Sequence, residues 1–314
     1  MNKTRKKIGL ALGSGGARGW AHIGVIRAIQ EAGIHVDCVA GTSMGSLVGA
    51  AFASGTIDAL HNVALILDWK HVIYYFLEFT LPRSGLIDGV KIVEFVRQHV
   101  ALSNIEDLPL PFSAIATEIE TGEEVVMDRG DLIEAVRASI SVPGIFTPVH
   151  RDGAVLVDGG LVEPVPVRVV RKMGAEIVIA VNLNRDLVER SFYKHQKKRK
   201  TASMERGTSN VQWDMIIKII NDRVKKIDFA PLTPMKHWFS RKDTLNVFDV
   251  LGNSLRIVAA QLAGMLLKSY PPDVLIEPDV PEMKFMDFHR AREVIDAGYQ
   301  AARAQLKTHK DLFQ

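Results

Sequence analysis

Cysteine is nearly absent from this chain: its 314 residues contain one, Cys38. That excludes an intrachain disulfide and a cysteine-based zinc site, and it fits a reducing compartment. Cys38 falls in the apolar run Val36–Ala40, where a buried structural thiol is expected. Long apolar runs are missing too. No stretch of about 18 consecutive apolar residues occurs, the least a membrane span needs. Behind the basic start Met1–Lys7, the apolar segment Ile8–Leu12 ends at glycines and Arg18, too short for a signal-peptide core. The expectation is a cytoplasmic protein whose membrane contact is peripheral, at the inner surface. No group of carboxylates has metal-ligand spacing, so neither a metal nor another cofactor is expected. No histidine stands in an obvious motif: His22, His150, His195, His237 and His289 all sit in unremarkable surroundings.

What is present is a set of ordered glycine-rich turns. Gly41-Thr42-Ser43-Met44-Gly45 follows the strand-like run Val36–Ala40 and precedes the small-residue stretch Ser46–Ala51, which reads as a helix. A serine on such a turn sits in strained backbone, and Gly41 and Gly45 let neighbouring segments approach closely enough to expose its hydroxyl. Upstream, the strand candidate Ile8–Leu12 leads into Gly13-Ser14-Gly15-Gly16-Ala17-Arg18-Gly19, then a helical pattern from Trp20 to Ala32. A glycine loop opening a helix presents unpaired amides beside the positive end of the helix dipole, which suits a phosphate or an oxyanion. A dinucleotide fingerprint would need a third glycine where Arg18 stands. An oxyanion-binding loop one βα unit ahead of a serine elbow fits better.

An activated serine needs a proton acceptor, usually a histidine held by a carboxylate. Here the run Ala154–Asp158 delivers a carboxylate from a strand end into Gly159-Gly160. A carboxylate in direct contact with the serine can serve as base if desolvation raises its proton affinity. Taken alone, Asp158 reads first as a turn aspartate before a Gly-Gly corner.

Together these blocks resemble the patatin-like phospholipases, specifically the bacterial branch related to the catalytic domain of neuropathy target esterase. The resemblance rests on Gly15–Gly19, Gly41–Gly45, the Ser/Pro-rich segment Arg137–Pro148, and Asp158–Val167. It runs densely over residues 7 to 185 and more loosely over the last 70 or so. It implies a three-layer α/β fold with a mixed, mainly parallel sheet and helices on both faces, as one domain over residues 1–314. It also implies a Ser43–Asp158 dyad working without histidine, and an oxyanion hole from the amides around Ser14, Gly15 and Gly16, with Arg18 steadying the loop. Gly41, Gly45, Gly159 and Gly160 support these motifs. The implied reaction is hydrolysis of a phospholipid, lysophospholipid or similar lipid ester through an acyl-Ser43 intermediate. Acyl transfer or thioesterase chemistry, and a lipid-binding regulator without turnover, are the alternatives. Two positions depart from the family pattern: Ser14, where many members carry glycine, and Glu163, where asparagine is common.

The pattern along the chain agrees with such a fold. Strands are predicted at 8–12, 36–40, 111–117, 123–127, 154–158, 176–182 and 273–277. Helices are predicted at 17–32, 44–54, 57–68, 88–99, 131–139, 166–173, 246–268 and 287–307. The pair at 111–117 and 123–127, joined near Thr121-Gly122, reads as a hairpin, so the sheet should be mixed. The aromatic cluster Trp69–Leu77 reads first as core and second as an acyl-chain channel or lid.

Charge is unevenly placed. Residues 185–242 hold fifteen Lys/Arg against six Asp/Glu, a surplus of nine, although the whole chain has a net charge of only +3. This segment reads as a basic, partly flexible insertion at about 185–245. Within it, residues 194–226 offer a basic run and an amphipathic helix pattern suited to an anionic membrane surface. A packed helix beside a solvated loop is the other reading. No aromatic stacking platform accompanies the basic run, so nucleic acid is not an expected partner.

Overall fold

The computed structural model describes residues 5–67, 104–184 and 247–313. The predicted helix 88–99, the Trp69–Leu77 cluster and the basic segment 185–242 lie outside these residues.

The described chain forms one mixed sheet flanked by helices. In order it runs β1 (Ile8–Leu12), α1 (Ala21–Glu31), β2 (Cys38–Thr42), α2 (Met44–Ala53), α3 (Ile57–Ile66), β3 (Phe112–Glu118) and β4 (Glu124–Met127). Then follow α4 (Leu132–Ser139), β5 (Val149–Arg151), β6 (Ala154–Asp158), α5 (Val167–Lys172), β7 (Ile177–Val181), α6 (Val247–Ser269), β8 (Val274–Ile276) and α7 (Ala291–Thr308). The strand order is β5-β6-β3-β2-β1-β7-β8, with β4 also pairing β3. β3, β2, β1, β7 and β8 are mutually parallel, and β4, β5 and β6 add antiparallel pairings at one side.

The central strands are apolar on both faces, as a parallel sheet covered on both sides requires. Alternation sends Leu10 and Leu12 of β1, Val39 of β2 and Ile177, Ile179 and Val181 of β7 into the larger core, with α1, α2, α4 and α7. Their neighbours Ala11, Cys38, Ala40, Val178 and Ala180 point to the opposite side, under Val167, Val169 and Val170 of α5 and Ala263 of α6. Cys38 is therefore core, and burial pushes its thiol up to about 11. Helix, sheet and helix make three layers.

β3 has three partners but only two edges. Ala114 and Ile115 pair with β2 on one side and β4 on the other, while Ala116 and Thr117 pair with both β4 and β6. β2 and β6 therefore share one edge of β3. They run towards each other and stop face to face, Thr42 opposite Ile115 and Asp158 opposite Ala116.

Four details differ from the expectations. β2 ends two residues later than predicted, at Thr42, because its register along β1 and β3 carries the extended backbone up to the elbow. The first helix begins as a tight turn, Gly16–Trp20, before α1 proper. Strand β5 was not predicted; its three residues exist only as the partner of β6. Finally, the expected lack of any span-length apolar segment needs correction. Val250–Ser269 is long and apolar enough to cross a membrane by length and composition, with mean hydropathy 1.4. Its scattered Asn253, Ser254, Arg256 and Gln261 hide this from a search for unbroken apolar runs.

Candidate active site

Parallel strands present their carboxyl ends along one rim, where ligands of open α/β sheets bind. Here the ends of β1, β2 and β7 meet the end of β6 at that rim. Ser43 is the one residue between β2 and α2, with φ 57 and ψ −124. Such a conformation costs a non-glycine residue about 1–3 kcal/mol. The surroundings enforce it. A Cβ on Gly41 would strike the carbonyl of Gly45, and one on Gly45 would strike that of Leu12, so the turn closes only with glycine at both positions. The Ser43 amide donates to Ser139 Oγ at 2.9 Å, and Ser139 Oγ in turn donates to the Ile115 carbonyl at 2.5 Å. Thr42 Oγ1 donates to the Glu163 carbonyl at 2.8 Å, tying the elbow to the loop after β6.

Ser43 Oγ donates to Asp158 Oδ2 at 2.6 Å. The second carboxylate oxygen accepts from the Gly160 amide at 2.7 Å. The Asp158 backbone is pinned as well, its amide donating to the Ser141 carbonyl and its own carbonyl accepting from Thr117 Oγ1 at 2.9 Å. Gly159 must be glycine because a Cβ there would collide with the Ile115 carbonyl. Burial pushes the Asp158 carboxyl up to about 6, against the opposing pull of the Ser43 and Gly160 hydrogen bonds.

The glycine loop faces this pair across a cleft lined by Ser14, Gly15, Gly16, Arg18, Ser43 and Asp158, among others. One expectation changes here. The Ser14 amide donates to the Pro164 carbonyl at 2.8 Å, so it is spent within the fold. The amides of Gly15 and Gly16 make no hydrogen bond among the described residues. They are the donors this loop can offer a developing oxyanion. Arg18 is buried and its Nε donates to the Gly15 carbonyl at 3.4 Å, bracing the loop from within.

Several supports carried no signal readable in advance. Asn184, beyond the end of β7, donates through Nδ2 to both the carbonyl and the hydroxyl of Ser14, at 3.3 and 3.2 Å. His22 is fully buried, and its Nε2 donates to the Gly13 carbonyl at 2.7 Å. Burial lowers its pKa to about 4, so the ring is neutral and acts as a strut for the loop. No histidine among the described residues hydrogen-bonds Ser43. Glu163, the departure noted above, is buried against Arg168, whose guanidinium also reaches Glu124. Burial raises its carboxyl despite that pairing. Ser139 lies inside the Ser/Pro-rich segment Arg137–Pro148, but only the fold reveals that it holds the Ser43 amide.

The fold and the rim define an α/β protein with a serine elbow beside a buried carboxylate. Residues 10–171 match the family model described as patatin-like phospholipase. An uncharacterized NTE family protein of Mycobacterium tuberculosis is 33% identical over 96% of this chain and 91% of its own length. Patatin-like phospholipase domain-containing protein 6 of Mus musculus is 30% identical over 96% of this chain, which spans 20% of the mouse protein. Among solved structures, VipD from Legionella pneumophila aligns with a TM-score of 0.44 and 12% identity, over 97% of this chain and 67% of that one. The chain belongs to the patatin-like phospholipase family, a family of lipid hydrolases.

Proposed function

We propose that this chain hydrolyses the acyl ester of a phospholipid or lysophospholipid, with Ser43 as nucleophile and Asp158 as base. The observation that carries the reading is the 2.6 Å hydrogen bond from Ser43 Oγ to Asp158 Oδ2 inside a buried rim. Asp158, with its proton affinity raised by burial, takes the Ser43 proton as Oγ bonds to the ester carbonyl carbon. The carbonyl oxygen becomes an oxyanion facing the Gly15 and Gly16 amides. Such donors contribute about 3–4 kcal/mol each to the transition state. Collapse of the tetrahedral species expels the alcohol, which leaves with the proton from Asp158, and acyl-Ser43 remains. Water then gives a proton to Asp158 and its oxygen to the acyl carbon, releasing the fatty acid and returning the proton to Ser43.

Labelling with a fluorophosphonate probe tests this reading. Wild type is expected to label, Ser43→Ala to be blank, and Asp158→Asn to label far more slowly. Folded wild type that neither labels nor cleaves short-chain esters would overturn it in favour of a lipid-binding role.

A further inference from the structure

Helix α6 carries large apolar residues on its outward side as well as on its packed one. A helix on the surface of a soluble protein turns its large apolar residues inward and its polar residues to water. In α6 the fully buried positions are the small Gly252, Ala259, Ala260 and Ala263, with Leu251, Leu255 and Leu267 partly buried against the core beside them. The outward positions include Val250, Ile257, Val258 and Met265, which are 48%, 51%, 50% and 67% exposed. Between Val250 and Leu267 the only charged residue is Arg256, and it lines the catalytic cleft. The outward stripe thus carries no charge for over four turns, a pattern that marks an interaction surface.

We propose that this outward face of α6 docks on an anionic lipid surface and holds the cleft against it. The inference rests on the lipid-hydrolase reading above. Two observations choose a bilayer as the occupant. First, the opposite side of the same helix forms a wall of the cleft through Leu255, Arg256 and Ala259, beside Ser43 and Asp158. A surface bound by α6 therefore sits next to the reacting serine. Second, charge fits an acidic partner: the stripe has no carboxylate, and residues 185–242, just ahead of the helix in sequence, carry nine surplus positive charges. Each basic residue near an anionic leaflet contributes about 1 kcal/mol. The helix lies along a lipid surface rather than through it, because Ala263 is packed into the sheet-side core and Arg256 into the cleft.

The test uses the full chain and vesicles of phosphatidylcholine with and without phosphatidylglycerol, in a cosedimentation assay. The triple variant Ile257→Ser, Val258→Ser, Met265→Ser removes the stripe without touching the cleft, and its thermal melt verifies folding. Wild type is expected to bind the mixed vesicles and the variant at least about tenfold more weakly, while both cleave a soluble short-chain ester within about twofold of each other. Equal sedimentation of the two proteins, or no binding by wild type, would overturn the proposal. So would a variant that loses only self-association, since that assigns the stripe to a second copy of the chain. Equal binding to phosphatidylcholine alone would overturn the anionic preference. Failure of wild type on the soluble ester would instead count against the hydrolase reading, leaving vesicle binding to be judged separately.

Discussion

Ser43 and Asp158 are 115 residues apart in sequence, yet their side chains meet at 2.6 Å. They meet because β2 and β6 approach head-on along one edge of β3, and each ends in a turn that only glycines permit. Asp158 is also held by the Gly160 amide on its side chain and by Thr117 and Ser141 on its backbone. It is positioned by the sheet before any substrate arrives, and in the proposed dyad that preorganisation would spare reorganisation cost during the reaction.

Replacing Ser43, the proposed nucleophile, separates chemistry from strain. Ser43→Ala is expected to lose fluorophosphonate labelling completely while keeping a cooperative unfolding transition. Ser43→Gly is equally inactive but better suited to φ 57, so it should be more stable than the alanine variant by about 1 kcal/mol. Urea denaturation of the two variants measures the difference, and a less stable glycine variant would contradict the strain argument.

Burial of Asp158 costs stability when its carboxyl is ionised. Burial raises its pKa from 3.8 to about 6, so the folded state binds more protons than the unfolded one between those values. Stability is full below the lower pKa and is lost as pH rises through the upper one, by roughly 3 kcal/mol in all. Asp158→Asn carries no charge to desolvate. It should be more stable than wild type at about pH 8, by about 1–3 kcal/mol, with the gain vanishing near pH 4. Denaturation curves at the two pH values test this. A variant equally destabilised at both would mean the carboxylate is not strained by burial.

The same shift sets the pH dependence of turnover. The base must be ionised, so kcat/KM for a soluble ester should rise through about pH 6 and level off above it. Stopped assays in overlapping buffers would show one ascending limb. A limb that persists when each histidine is replaced assigns it to the carboxylate, and a limb that disappears with one histidine reassigns the base.

Ser139 is the least obvious part of the site. Its hydroxyl links the Ser43 amide to the Ile115 carbonyl, both buried. Ser139→Ala leaves both unsatisfied and should cost about 1–3 kcal/mol of stability. Because the elbow loses its anchor, kcat should fall by at least about tenfold with KM little changed. Ser139→Thr, which keeps the hydroxyl, should recover part of that rate. A variant with normal kcat would confine Ser139 to a structural role.

Much of this molecule is legible along the chain because its cues are local. Short apolar runs mark β3, β4 and β6, and glycines bracket Ser43 and follow Asp158, where at Gly41, Gly45 and Gly159 backbone collisions forbid a side chain. The glycine spacing is read along the chain, although of these collisions only that between Gly41 and Gly45 is local; Gly45 meets Leu12 and Gly159 meets Ile115. The boundary of β2, the existence of β5 and the spent amide of Ser14 are different: each depends on a partner strand or carbonyl far away in sequence. The same holds for His22, Asn184 and Ser139, ordinary residues made important by which carbonyl or amide the fold sets against them.

The sequence by itself determined that a serine elbow, a glycine loop and an aspartate turn would exist, because glycine placement and the flanking apolar runs mark those turns along the chain. Tertiary structure alone decided that serine and aspartate would touch, which amides of the loop stay available, and which face of α6 points to water. Those outcomes depend on strand order and on packing across the sheet, and neither is written in the spacing of residues along the chain.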